Sequence, residues 1–262
     1  MKYFIQKIYF YICKIYSYLL AKIDELFYRE NIKECPHLKR NGYVKIKDKL
    51  SLETRKKIVQ LVDHKKNKIF YANKYQRRII FQKNVLAEFI YLLFDKKFCD
   101  FLTFQTGFKY SIDFFCISEN LFIPEIDRVQ NWYGNNYHLD KPNSRNTLKI
   151  FLPLSIIETK DGSLELLNIK NTKKYFSTSK SIKNFEKYYF EGDLGDLFLS
   201  KLNLCLHRAG IPLKKRVRKL ITIELNPSKK WYLNSKLYKR QYLPEPKFTS
   251  ISNQFVSRIP LN

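Results

Sequence analysis

Tyr137-His138-Leu139-Asp140, followed by the apolar run Leu148-Lys149-Ile150-Phe151-Leu152-Pro153-Leu154 and much later by His207, is the stretch around which the chain is organised. In an extended segment, residues i and i+2 point to the same side, so His138 and Asp140 reach one ion together. A third donor is His207, which comes after the strand-like run Gly195-Asp196-Leu197-Phe198-Leu199-Ser200. Two imidazoles and one carboxylate on one face of an octahedron leave three positions open. That set suits non-haem Fe(II), with room for a co-substrate and O2. A His-x-Asp pair alone also arises by chance, and a lone histidine is often structural, so the surroundings must decide.

Those surroundings have the texture of short strands from about residue 107 onward. Phe108 to Ile117 and Arg128 to Tyr133 are aromatic runs, Leu148 to Leu154 is nearly all apolar, and Asp161-Gly162 turns the chain into Leu164-Glu165-Leu166-Leu167. Gly192-Asp193 and Gly195-Asp196 mark further turns, and Arg218 to Leu225 predicts another strand, closed by Asn226-Pro227. Residues 169–186 are polar and serine-rich and predict a long loop, a lid over a site. The front half is helical in pattern. Cys35-Pro36 breaks a first helix, and Asn41-Gly42 turns into the alternating strand Tyr43-Val44-Lys45-Ile46. Ser51 is placed to cap a helix carrying Ile58, Leu61 and Val62 on one side, and Asn84 to cap a second over residues 84–99. Helices in front and antiparallel strands behind predict an α+β chain whose back half is a sandwich or barrel.

Three divisions follow: residues 1–35, 36–227 and 228–262. The first carries apolar and aromatic side chains throughout, interrupted by Lys2, Lys7, Lys14 and Lys22, and predicts a helix. Its longest uncharged run, Ile15 to Ala21, is far short of the ~20 apolar residues that cross a bilayer, and Lys14 divides what would be a signal-peptide core. Two readings stay open: a helix packed on the main domain, and a basic, tyrosine-rich helix lying on an anionic membrane surface. The last division sets Trp231, Tyr232, Tyr238 and Tyr242 among Lys and Arg, a pattern that stacks bases or covers the end of a barrel.

Lys and Arg number 49 against 24 acidic residues, a net charge of +25, so the natural partners of the surface are anions. The wealth of Lys, Ile, Asn, Phe and Tyr is also what an AT-biased genome produces, and both origins of the charge stay open. With 19 Tyr and 21 Phe the chain is no disordered polyampholyte. Cys13, Cys35, Cys99, Cys116 and Cys205 are odd in number and lack Cys-x-x-Cys spacing, which fits reduced thiols in a cytoplasmic compartment. Cys205 would share the face of His207 if the strand ran that far, as a fourth ligand or as an ordinary buried thiol.

Over residues 38 to 226 these pieces resemble the phytanoyl-CoA dioxygenase family, Fe(II)- and 2-oxoglutarate-dependent oxygenases built on a double-stranded β-helix. Gly42-Tyr43-Val44-Lys45-Ile46 and Leu50-Ser51-Leu52-Glu53 are similar to the family's opening strand and turn into a helix. His138-Leu139-Asp140, the run 148–154 and Asp161-Gly162-Ser163-Leu164 resemble its ligand pair, long strand and following turn, and Gly195-Asp196-Leu197-Phe198-Leu199 before His207 its approach to the distal histidine. The resemblance implies a double-stranded β-helix (jelly-roll, cupin-like) core with N-terminal and flanking helices. It implies that His138, Asp140 and His207 bind Fe(II), that 2-oxoglutarate and O2 are co-substrates, and that Arg218 pairs with the far carboxylate of 2-oxoglutarate through its guanidinium fork. Oxidative decarboxylation to succinate and CO2 would then drive hydroxylation of an unactivated C–H; retention of the Asp140 carboxylate separates the chain from related halogenases. Substrates of such enzymes include acyl thioesters, amino acids, natural products and sugars, so the expected partner is a small-molecule, acyl or glycan/lipid-linked substrate, anionic in view of the charge.

The chain departs from the family at Ala209, where a serine is frequent. Arg216 is the rival to Arg218, since in an extended strand the two share a face. Lys149 is either a second anion contact inside the barrel or an exterior, solvated side chain, and Gln130 and Tyr133, on the strand expected before the ligand pair, are further pocket candidates. The reading from a different class is a catalytically inactive barrel that binds anions, nucleic acid or a membrane surface through its basic charge. Nucleic acid is disfavoured as a substrate, because the demethylases resemble another branch of the fold.

Overall fold

The computed structural model describes residues 2–140, 143–178 and 180–233. Helix α1 (Lys2–Tyr28) and the short α2 (Pro36–Asn41) lead to strand β1 (Tyr43–Ile46), helix α3 (Leu52–Val62) and a hairpin of β2 (Lys68–Asn73) and β3 (Gln76–Ile80). Helices α4 (Lys83–Leu93) and α5 (Lys96–Thr106) precede the long strand β4 (Lys109–Asn120). Then come β5 (Leu148–Pro153), β6 (Leu164–Leu166), α6 (Ile169–Ser177), β7 (Tyr188–Phe190), β8 (Leu197–Ser200), β9 (His207–Ala209), β10 (Arg218–Ser228) and β11 (Tyr232–Leu233). Of the tail expected from residue 228, Tyr238 and Tyr242 lie outside the described residues. Trp231 is described, and its indole N–H donates to Thr103 Oγ1 at 3.1 Å beside Phe94 and Tyr110.

An eight-stranded sheet runs β1-β8-β5-β10-β4-β3-β2, with β11 parallel to β4, and a three-stranded sheet runs β7-β6-β9. Side chains alternate across the larger sheet with period two. Leu148, Ile150 and Leu152 of β5, Leu197 and Leu199 of β8, and Ile221, Ile223 and Leu225 of β10 pack against α3, α4 and α5 through Ile58, Leu61, Phe89, Leu93 and Leu102. Their alternates Phe151, Phe198 and Leu220 meet Leu164, Leu166 and Phe190 of the smaller sheet. Two sheets face each other over this second core, with helices behind the larger one: an α+β chain on a double-stranded β-helix, as expected. Ser51 caps α3 by accepting from the Thr54 N–H at 3.1 Å.

Several local expectations are corrected. Residues 84–99 are not one helix: the chain breaks at Phe94, and Asp95 starts α5 by accepting the Phe98 N–H at 2.7 Å. The polar stretch 169–186 is no open loop but contains α6, started by the Asn168 side chain, whose Oδ1 accepts the Asn171 N–H at 2.7 Å, and held by buried Thr172 and by Phe176 stacked on Phe10. Arg128 to Tyr133 is not a strand. It is a turn following a 3-10 segment, bent so that the Trp132 indole reaches the Asp127 carbonyl at 2.9 Å and packs edge-on against Tyr75. β10 runs through Asn226-Pro227 instead of stopping there, with Pro227 opposite Tyr110.

Candidate metal centre

His138 and His207 meet across a single antiparallel bridge rather than on one long ladder: the His138 N–H donates to the His207 carbonyl at 2.8 Å and the His207 N–H to the His138 carbonyl at 3.0 Å. β9 carries His207 at its start, opposite Leu166 of β6. The extended backbone at His138 continues to Asp140, whose N–H donates to Leu202 O at 3.3 Å, so His138 and Asp140 project together as the i, i+2 spacing requires. One ligand atom from each of His138, Asp140 and His207 falls within 4.8 Å of the others. Asp140 Oδ1 lies 3.9 Å from His138 Nε2 and 3.7 Å from His207 Nε2.

Each imidazole is oriented from behind. His138 Nδ1 sits 2.7 Å from Asn136 O, and His207 Nδ1 2.8 Å from Cys205 O. A carbonyl only accepts, so both rings carry hydrogen on Nδ1 and turn the Nε2 lone pair toward Asp140. Burial, with His138 adding to it, lowers His207 to about 3 against the opposing pull of Asp140, so this ring is neutral and ready to coordinate. Burial by itself would raise the Asp140 carboxyl. Lys149, His207 and His138 outweigh it and hold the group well below the usual carboxylate range. Lys149 points inward, with its ammonium 2.7 Å from Asp140 Oδ2 and 3.6 Å from Glu224 Oε2. Asp140 is thereby divided: one oxygen faces the imidazoles and the other faces a cation. A neutral N,N pair with a charged carboxylate oxygen is a donor set that fits a divalent first-row metal such as Fe(II).

Arg218 opens β10 and is buried to 4% exposure. One guanidinium nitrogen donates to the Gly162 carbonyl and Nε has no hydrogen-bond partner. Among the described residues no carboxylate pairs with it. Burial lowers the guanidinium to about 10, with Tyr133 opposing. Arg216 is half-exposed outside the strand with Asp161 at 3.6 Å, so the two arginines do not share a face. Tyr133 lies in the turn near Arg218 with its hydroxyl donating to Leu121 O at 2.9 Å, and burial raises it to about 12. Gln130 is exposed on the same turn and presents its carbonyl to Asn135 at 3.1 Å. Cys205 does not join the cluster: its buried thiol faces Asn41 O at 3.5 Å, and only its carbonyl serves the site, through His207.

Some residues here were not singled out by sequence. Gly134 has φ +81°, and a Cβ there would meet His138 Cε1 at 3.0 Å; it also accepts the Ala209 N–H at 2.7 Å and so ties the Tyr133 turn to the His207 strand. Its signal is a glycine in an Asn-rich turn of a chain with only 7 Gly. Glu224 shares the parity of Arg218 along β10, which is enough to place it on the inner face, opposite Lys149. Behind the ligands, Tyr137 donates to Glu165 at 2.7 Å, and Glu165 also holds Arg208 at 2.7 Å. A second group that geometry alone qualifies for a metal is Asp48, Asp193 and Asp196, at the β1–β8 end.

No family model matches this chain, and no curated protein matches it in sequence. Solved structures do resemble it. EctD from S. alaskensis, in its apoform, is similar over 89% of this chain and 91% of its own, with a TM-score of 0.51 and 11% identity. The epimerase SnoN, in complex with Fe3+, alpha ketoglutarate and nogalamycin RO, covers 80% of this chain and 88% of its own at a TM-score of 0.48 and 11% identity. An oxidoreductase of the 2OG-Fe(II) oxygenase family from Burkholderia pseudomallei covers 78% and 99%, at 0.47 and 11%. At such identities the likeness is one of fold, and among these three the EctD comparison carries it.

Proposed function

We propose that the protein is an Fe(II)- and 2-oxoglutarate-dependent dioxygenase that hydroxylates an unactivated C–H of a small-molecule, acyl or glycan/lipid-linked substrate. The observation that carries this reading is Arg218: a buried guanidinium with no carboxylate partner among the described residues, near Tyr133 of the turn that Gly134 ties to the His207 strand, in a chain that also brings together a His, Asp, His cluster whose lone pairs converge. A buried cation without a counter-ion is costly, and a dicarboxylate that enters the barrel relieves that cost. His138, Asp140 and His207 would hold the iron, which with 2-oxoglutarate and O2 supplies the oxidising power. Arg218 would bind the far carboxylate of the co-substrate and set its orientation. Lys149 keeps Asp140 charged and holds Oδ2 aside, so that one oxygen is offered. The Asn136 and Cys205 carbonyls keep both imidazoles in the coordinating tautomer.

Succinate release from 2-oxoglutarate by purified, iron-loaded protein, screened against metabolite pools, tests the proposal. Stimulation by one pool, abolished in His138→Ala and in Asp140→Ala, is the expected result; wild-type turnover by either variant refutes the ligand assignment. A second reading, an anion-binding barrel without iron chemistry, is favoured by the Lys149–Asp140 ion pair, which neutralises the carboxylate without a metal. Failure of the wild-type protein to bind Fe(II) would select it.

A further inference from the structure

Among its described side chains, helix α1 is held to the domain by one side. Ser17 and Ala21 are buried, the Asp24 carboxylate accepts from Ser144, Asn146 Nδ2 reaches Ala21 O at 3.3 Å, and Phe10 stacks on Phe176 at a centroid distance of 4.1 Å. The opposite side is apolar and open to solvent. Ile8, Ile12, Ile15, Leu19, Ile23 and Leu26 recur at every third or fourth position, which places them in one stripe, and Ile12, Ile15 and Leu26 are 58%, 61% and 77% exposed. A stripe of this kind has no reason to stay in water.

Its edge is ordered by polarity. Tyr11 and Tyr18, half-exposed, border the stripe, and the cationic heads lie on them: Lys14 5.7 Å from the Tyr11 ring centroid, Lys22 5.6 Å and Arg145 5.0 Å from that of Tyr18. Aliphatic side chains, then phenols, then cations is the order of polarity from the acyl region of a bilayer through the headgroups to an anionic surface. The net charge of +25 acts in the same sense. No helix among the described residues is long and apolar enough to cross a membrane, so the helix would lie in the surface plane. A second copy of the chain is the poorer occupant. Pairing two such stripes would set Lys14, Lys22, Arg29 and Arg145 of one copy against those of the other, with Glu25 already bonded to Lys22 and Arg29.

We infer that α1 docks the protein on an anionic lipid bilayer through the Ile8–Leu26 stripe. Both readings left open by the sequence then hold at once: the helix packs on the domain with one side and on lipid with the other. Arg145 donates its N–H to Ser17 O at 3.4 Å and a guanidinium N–H to Lys14 O at 3.3 Å, so residues 144–146 rest on the docked helix. The inference does not depend on the chemistry of the metal centre.

Gradient flotation of the full chain with vesicles of phosphatidylcholine containing phosphatidylglycerol, and with pure phosphatidylcholine vesicles, is the test. Wild type should float with the anionic vesicles and far less with the neutral ones. A combined Ile12→Ser, Ile15→Ser and Leu19→Ser variant, whose changes are all at exposed positions, should lose at least about tenfold in partitioning, with an unchanged melting curve. Lys14→Gln with Lys22→Gln should reduce anionic binding alone. Wild type left at the bottom of the gradient, equal flotation on both lipids, or full flotation of the serine variant overturns the inference. So does a wild-type dimer that the serine variant dissolves.

Discussion

The His138, Asp140 and His207 group and the Asp48, Asp193 and Asp196 group both bring three possible ligand atoms together, yet they differ in what those atoms face. In the acidic group two of the three carboxylates are already answered, and Asp193 is exposed to solvent. Asp196 meets Lys45 at 2.9 Å and the Asp48 N–H at 3.0 Å, and Asp48 meets Arg55 at 2.8 Å, on the outer edge where β1 joins β8. In the histidine group the hydrogen-bonding atoms point backward into the protein, and the coordinating lone pairs are left for the interior. Proximity of donors therefore does not define a metal centre. The direction in which their lone pairs remain uncommitted does, and by that measure the acidic group is a strand clasp.

The sharpest way to break this contrast is at the ligands. His207→Ala or His138→Ala should weaken Co(II) or Fe(II) binding by more than the roughly 10- to 100-fold typical of losing an outer partner, while Asp193→Ala leaves it unchanged, as read by Co(II) absorption titration. Next come the two arginines. Arg218→Met should weaken 2-oxoglutarate binding about 100-fold, the worth of two charge-assisted hydrogen bonds, and Arg216→Met less than about threefold, by calorimetry on the metal-loaded protein. Asp196→Ala should leave metal affinity alone and lower stability by about 2 kcal/mol in urea unfolding. The Lys45 and backbone hydrogen bonds hold Asp196 below its ordinary value of 3.8 against the upward push of burial. Its contribution is therefore present above that value and fades as pH falls through the lower folded one, so Asp196→Asn should flatten the acid limb of the stability curve. The smallest effect belongs to Gly134→Ala: about 1 kcal/mol from the left-handed φ of +81°, with metal binding weakened as the new methyl presses on the His138 ring.

Much of the frame was legible because local rules coincided with the tertiary outcome. The nearly all-apolar run Leu148 to Leu154 and the run Arg218 to Leu225 marked strands whose two faces enter two different cores, and Ser51 capped the helix it preceded. Reading failed where distant partners overruled composition. Asn168 to Ser177 is polar enough for a loop, but Phe10, from the other end of the chain, closes over Phe176 and makes a helix worthwhile. Arg128 to Tyr133 is aromatic enough for a strand, but Trp132 turns back onto Asp127 and Tyr75.

For the site, the residues alone determined the donor types and the same-side projection of His138 and Asp140, since these follow from side-chain chemistry and a period of two. Only the tertiary structure decided which imidazole nitrogen carries the proton, which oxygen of Asp140 faces the histidines, and which arginine is buried without a carboxylate. Charge and desolvation are set by neighbours such as Lys149 and Gly162, which reach the site through the fold rather than through adjacency in the chain, whereas the Cys205 carbonyl that directs His207 lies only two residues away.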